Sequence, residues 1–118
     1  MTFTTVNVDR EQLLLLSQLL LTVSPGCTIH QNCDPVRALQ RLSTQKVDAV
    51  FADADSCSDL LHMLNGTNGS TSVYLMCRPD LQPVQQTEGI RAVVTYPITK
   101  QKIRLALQTR PREIREVV

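Results

Sequence analysis

The stretch Val47-Asp48-Ala49-Val50-Phe51-Ala52-Asp53, followed by Ala54-Asp55, decides the fold. It is a short apolar run, rich in β-branched residues, that ends in a carboxylate just as polarity returns. Strands of a parallel sheet covered on both faces read as near-continuous hydrophobic runs, and ligands gather at their carboxyl ends. The run therefore predicts a buried parallel strand with Asp53 at the functional edge of the sheet.

Elements on either side of this run alternate in type. Thr2 to Val8 mixes β-branched and small residues and reads as a first strand. Asp9 stands where a helix N-cap belongs, with Gln12 at capping-box spacing and a leucine-rich helix running to about Val23. Ser24-Pro25-Gly26 ends that helix, and Cys27 to Gln31 forms a short second strand. Asp34-Pro35 opens a second helix as N-cap and first-turn proline, with Val36, Leu39 and Leu42 as its apolar face. Beyond Asp53, a short helix over about Cys57 to Asn65 places Leu60, Leu61 and Leu64 at helical spacing, and Gly66-Thr67-Asn68-Gly69 forms a turn without the lysine of a phosphate-binding loop. Ser72 to Cys77 is a fourth strand, Asp80 to Glu88 a weak helix interrupted by Pro83, and Ala92 to Thr95 a fifth strand. Thr99 caps a last helix with Ile103, Ala106 and Leu107 inward, and Arg110-Pro111 stops it. Five strands alternating with five helices predict an α/β fold, a single doubly wound parallel sheet. Residues 1–109 form that domain and 110–118 a charged tail or linker.

Composition narrows the function classes. A chain of 118 residues, 42% hydrophobic and 19% charged, is long enough for one domain with a real core and too short for two. No apolar run approaches the roughly 20 residues needed to cross a bilayer, and no basic start with a cleavage site opens the chain, so a cytoplasmic location without membrane contact is expected. Cys27, Cys33, Cys57 and Cys77 stand far apart, and His30 and His62 match no thiol pair, which argues against both disulfides and zinc. From Lys100 onward six basic residues face two acidic ones, but the run lacks the density and aromatic interleaving of a nucleic-acid patch. No direct nucleic-acid binding is expected.

Three pieces of the sequence resemble the receiver domains of bacterial response regulators, the CheY-like family. Asp48 to Asp53 is similar to the family's acidic residue, apolar run and phosphate-accepting aspartate. Asp34-Pro35-Val36-Arg37-Ala38-Leu39 looks like the start of its second helix, and Gly89 to Pro97 keeps the spacing of its last strand, which ends in Lys-Pro. The resemblance covers about residues 2 to 109. It implies a signalling module and not an enzyme, with Asp53 as candidate phosphoacceptor, a histidine kinase as a partner, and a homodimer face around Arg91 to Leu107. It also implies a transcription-regulating output domain beyond the tail.

Several active-site positions depart from the family pattern. The acidic pair that holds magnesium after the first strand is matched to Asp9-Arg10, with Glu11 next; Asp9, Glu11 and Asp53 are therefore the candidate magnesium ligands, and Arg10 puts a cation among them. Cys77 takes the place of the family's hydroxyl residue at the end of the fourth strand, and Tyr96, before Pro97, takes that of its phosphate-pairing lysine. These three are the candidate switch positions, and Tyr96-Pro97 is a candidate cis bond, as this proline often is in receivers. A thiol is a weak donor and a phenol carries no charge to set against a phosphoryl group. Two readings of Asp53 follow: a magnesium-dependent phosphoacceptor, or a structural strand-end carboxylate paired with Arg10. A flavodoxin-like nucleotide binder shares the topology, but Asp9-Arg10-Glu11 stands where its glycine-rich loop would be.

Overall fold

The computed structural model describes residues 1–55, 71–79, 90–108 and 115–117. The elements run β1 (Thr2–Val6), α1 (Arg10–Val23), β2 (Thr28–Asn32), α2 (Pro35–Thr44), β3 (Ala49–Asp53), β4 (Ser72–Cys77), β5 (Ile90–Thr95), α3 (Lys100–Leu107) and β6 (Arg115–Val117). The strands form one sheet in the order β2-β1-β3-β4-β5-β6, and every neighbouring pair is parallel.

The expected α/β class and parallel sheet are present, with two differences of detail. Three helices lie among the described residues; those expected over about 57–65 and 80–88 fall outside them. The sheet also has six strands where five were expected, because Arg115–Val117, read from the sequence as part of a tail, pairs in parallel with β5. A strand of three residues carries too little periodicity to be seen in sequence; its pairing comes from the free edge that β5 offers.

Alternation along the strands sorts the core into two faces. Phe3, Ala49, Phe51, Tyr74, Met76, Ala92 and Val94 point to the side covered by α1 and α3, where they meet Leu16, Leu20, Ile103 and Ala106. Val6, Val50 and Ala52 point the other way, against Ala38 of α2 with Leu39 and Leu42 beside it. Val36, expected on that inward face, is instead exposed, since Ala38 and not Val36 lies beneath the helix. Phe51 is the centre of an aromatic row: it meets Phe3 edge-on at 5.9 Å between ring centroids and stacks on Tyr74 at 4.7 Å. Parallel register explains the stack, because Phe51 and Tyr74 are direct partners across β3 and β4.

Local chemistry closes the helices as the sequence indicates. The Asp9 carboxylate accepts from the backbone N–H of Glu11 and Gln12, that of Asp34 from Val36, and the Thr99 hydroxyl from Lys102. The reciprocal half of the expected capping box is absent. Asn7 Oδ1 takes the Asp9 N–H at 2.9 Å, and Gln12 Oε1 is left without a partner. Gly26, with φ of +83°, makes the turn after α1 in a region that a side chain would strain.

Phe51 is fully buried and touches two other rings. Phe51→Ala is expected to cost about 3–5 kcal/mol of stability, read as a fall in the urea midpoint with little change in slope.

Candidate functional site

Three residues meet at the carboxyl edge of the sheet, and strand periodicity puts them there. Asn7 follows Phe3 and Thr5 on alternate positions, Asp53 follows Ala49 and Phe51, and Tyr96 follows Ala92 and Val94, so all three continue the face covered by α1 and α3. Tyr96 reaches that face because the β4–β5 register shifts by one residue between Val73 and Tyr74. Without the shift, β5 would present its alternate set of side chains.

The three side chains form a relay. The Tyr96 hydroxyl donates to Asp53 Oδ1 at 2.6 Å and accepts from Asn7 Nδ2 at 3.1 Å. Asn7 Oδ1 in turn accepts from the N–H of Asp9, the cap of α1. A neutral donor to an ionised acceptor makes a short, strong hydrogen bond, as this O–O distance indicates. Burial, and then the hydrogen bond and negative charge of Asp53, push the Tyr96 phenol well above its ordinary value, with Asn7 pulling weakly the other way. Tyr96 therefore stays protonated and keeps its donor. Asp53 is 8% exposed and Asn7 3% exposed, while Tyr96 between them is half-buried, so the relay lies at the rim of the sheet with its two ends covered.

The structure distributes the sequence-derived site residues unevenly. Asp53 and Tyr96 are brought together, with the Tyr96-Pro97 bond in the cis form. Asp9 and Glu11 do not join them. The Asp9 carboxylate is spent on the helix cap, Glu11 is exposed, and no group of three His, Cys, Asp or Glu side chains is gathered among the described residues. The expected Arg10–Asp53 ion pair is also not formed: Arg10 is exposed, while Asp53 accepts from Tyr96. Cys77 lies in the apolar cluster of Val73, Leu75 and Val93, which strand alternation turns away from Asp53. Arg78 pairs with Asp55 at 3.3 Å in an exposed contact that contributes little to stability.

Asn7 is the site residue that sequence reasoning missed. Asp9 is the carboxylate visible after the first strand, and its role as a cap of α1 competes with any role in a pocket. The available signal was parity: Asn7 is the polar residue that ends the Phe3, Thr5 series. Magnesium requires near-octahedral oxygen ligands, supplied by carboxylates, phosphate and water. The residues present do not fit that ion. The strand end contributes an amide at Asn7 and an exposed Val8, and the one carboxylate in the relay already accepts from Tyr96. The Lys102 ammonium does not enter either, since its Nζ is bound to the carbonyls of Thr95 and Pro97 at 2.9 and 3.0 Å.

Two measurements check this geometry. Tyr96→Phe removes the donor to a buried carboxylate and is expected to lower stability by about 1–2 kcal/mol in urea unfolding. Because the Tyr96 phenol is held above its unfolded value of 10.0, the unfolded chain loses its proton first as pH rises. Stability is therefore complete below that value and falls above it, and the Tyr96→Phe variant is expected to show a smaller fall over the same range.

Known structures place this architecture. The signal receiver domain of an HD domain-containing protein from Pseudomonas fluorescens Pf-5 is 26% identical, with a TM-score of 0.74 over 91% of this chain and 90% of that one. A response regulator receiver protein from Burkholderia phymatum is 19% identical, with a TM-score of 0.71 over 95% and 98%. The N-terminal domain of a response regulator/sensory box/GGDEF three-domain protein from Carboxydothermus hydrogenoformans is 13% identical, with a TM-score of 0.75 over 92% and 91%. No protein-family model matches the chain, and no curated protein matches it. With Asp53 at the carboxyl edge of a parallel sheet and these structural neighbours covering nine-tenths of its length, the chain has the fold of the response regulator receiver domains.

Proposed function

We propose that this receiver works as a protein-interaction module of response-regulator signalling whose aspartate pocket is held shut without phosphate. The observation that carries the reading is the 2.6 Å hydrogen bond from Tyr96 to Asp53 Oδ1. Phosphoryl transfer to a carboxylate relies on positioning and on neutralising charge, since the group carries close to two negative charges at neutral pH. Here a phenol occupies the carboxylate oxygen, an amide stands at the end of β1, and neither supplies positive charge. The relay instead ties the ends of β1, β3 and β5 together in one arrangement. Such a module signals through its surface and its amount. Its target, by the same resemblance, is a transcription-regulating output domain, and a histidine kinase is not needed to set its state.

A second reading, a magnesium-dependent phosphoacceptor under histidine-kinase control, draws on the position of Asp53 at the carboxyl end of β3. Amide chemical shifts with magnesium and beryllofluoride separate the two. The wild-type protein is expected to show no saturable shift at Asp53 or Tyr96. Saturable shifts that vanish in Asp53→Asn would overturn the closed-pocket reading. The paired change Asn7→Asp with Tyr96→Lys supplies a second carboxylate and an ammonium, and is expected to gain the response that the wild type lacks.

A further inference from the structure

The first turn of α3 carries charge of the sign that a helix start disfavours. A helix N-terminus suits acidic side chains, yet this turn holds Lys100 and Lys102 and no acidic residue. Lys100 is exposed, whereas Lys102 is half-buried and its side chain folds back over the turn that precedes the helix. The Lys102 Nζ donates to Thr95 O at 2.9 Å and to Pro97 O at 3.0 Å, with Thr95 Oγ1 at 3.4 Å, so each N–H of the ammonium has an acceptor. Its backbone N–H is held in turn by the Thr99 hydroxyl that caps α3.

The two carbonyls belong to the residues on either side of Tyr96. Along a strand between two parallel neighbours, successive residues turn their backbone groups to opposite sides. Tyr96 N–H donates to Cys77 O on β4 at 2.9 Å, so the Thr95 carbonyl turns to the outer edge of β5. There β6 pairs with Ala92, Val93 and Val94, and among the described residues that ladder stops one position short of Thr95. A buried carbonyl needs a donor, and Lys102 supplies the one that a longer edge strand would give. Tyr96 is thus held by β4 through its own N–H and by α3 through the carbonyls that flank it. Its hydroxyl must still meet Asp53 Oδ1 at 2.6 Å, and hydrogen bonds weaken steeply as their geometry loosens.

We infer that Lys102 is the positioning residue of the aspartate pocket: by clamping the carbonyls of Thr95 and Pro97 it sets Tyr96 where the phenol reaches Asp53, and so links α3 to the pocket. The inference deepens the closed-pocket reading and takes its functional meaning from it. Lys102 touches neither Asp53 nor the Tyr96 hydroxyl in this arrangement, so its effect must pass through the backbone on either side of Tyr96. Urea unfolding of the wild type, Lys102→Met, Tyr96→Phe and the double variant tests this. Lys102→Met alone is expected to raise the unfolding constant about tenfold. In the Tyr96→Phe background the same change is expected to have an effect smaller by at least about threefold, because the part exerted through the hydroxyl is already gone. A clamp that served only the turn would give additive effects, and additivity would overturn the inference. Carbon-13 shifts of Tyr96 Cζ and Asp53 Cγ at neutral pH give a second readout. Both are expected to move in Lys102→Met and to stay in place in Lys100→Met, which removes a charge from the same turn without touching the clamp. Unmoved signals in Lys102→Met, or equal movement in Lys100→Met, would each overturn the positioning role. A beryllofluoride response of the wild type would instead overturn the closed-pocket reading and leave the clamp standing.

Discussion

A strand with no polar side chain until its last residue can be accommodated only where both faces are covered. β3 is that strand, buried at every position from Ala49 to Asp53. It lies between β1 and β4, and the two layers of helices follow from it: α1 and α3 cover Ala49 and Phe51, and α2 covers Val50 and Ala52. Its register is fixed at the first residues as well. The Thr2 N–H donates to Asp48 Oδ2 at 2.7 Å and the Asp48 N–H to Thr2 O at 2.9 Å, so β1 and β3 start in step. A one-residue slip would turn the apolar set of β3 against the wrong helices and take Asp53 off its face.

The same constraint creates the problem that the carboxyl edge solves. Burying an ionised carboxylate is costly unless it is hydrogen-bonded. Here the donor to Asp53 is a phenol kept neutral by burial and by the aspartate itself. The arrangement is self-consistent. The carboxylate holds the proton on Tyr96, and the proton satisfies the carboxylate, while Asn7 joins the pair to the cap of α1. Lys102, which could have brought positive charge, instead secures the turn between β5 and α3 by binding its carbonyls.

At the margins of the sheet, short strands limit exposed hydrogen-bonding groups. β2 and β6 form the two edges, with five and three residues. Brief edge strands are a common guard against unwanted pairing between sheets.

The sequence by itself determined the run Val47 to Asp53 as a parallel strand, the caps Asp9, Asp34 and Thr99, and the alternation that makes an α/β fold, because each of these rests on contacts within a few residues. It also determined that a lysine is absent at Tyr96. Two helices expected over 57–65 and 80–88 lie outside the described residues. What only the tertiary structure decided depends on register between segments far apart in the chain. Asn7 and not Asp9 joins the Tyr96–Asp53 pair, because the strand end and the helix cap compete for one turn of chain. Cys77 falls on the opposite face from Asp53, since it shares parity with Val73 and Leu75. Tyr96 meets Asp53 only because the β4–β5 register shifts by one residue, and a shift of one reverses the face of every residue that follows.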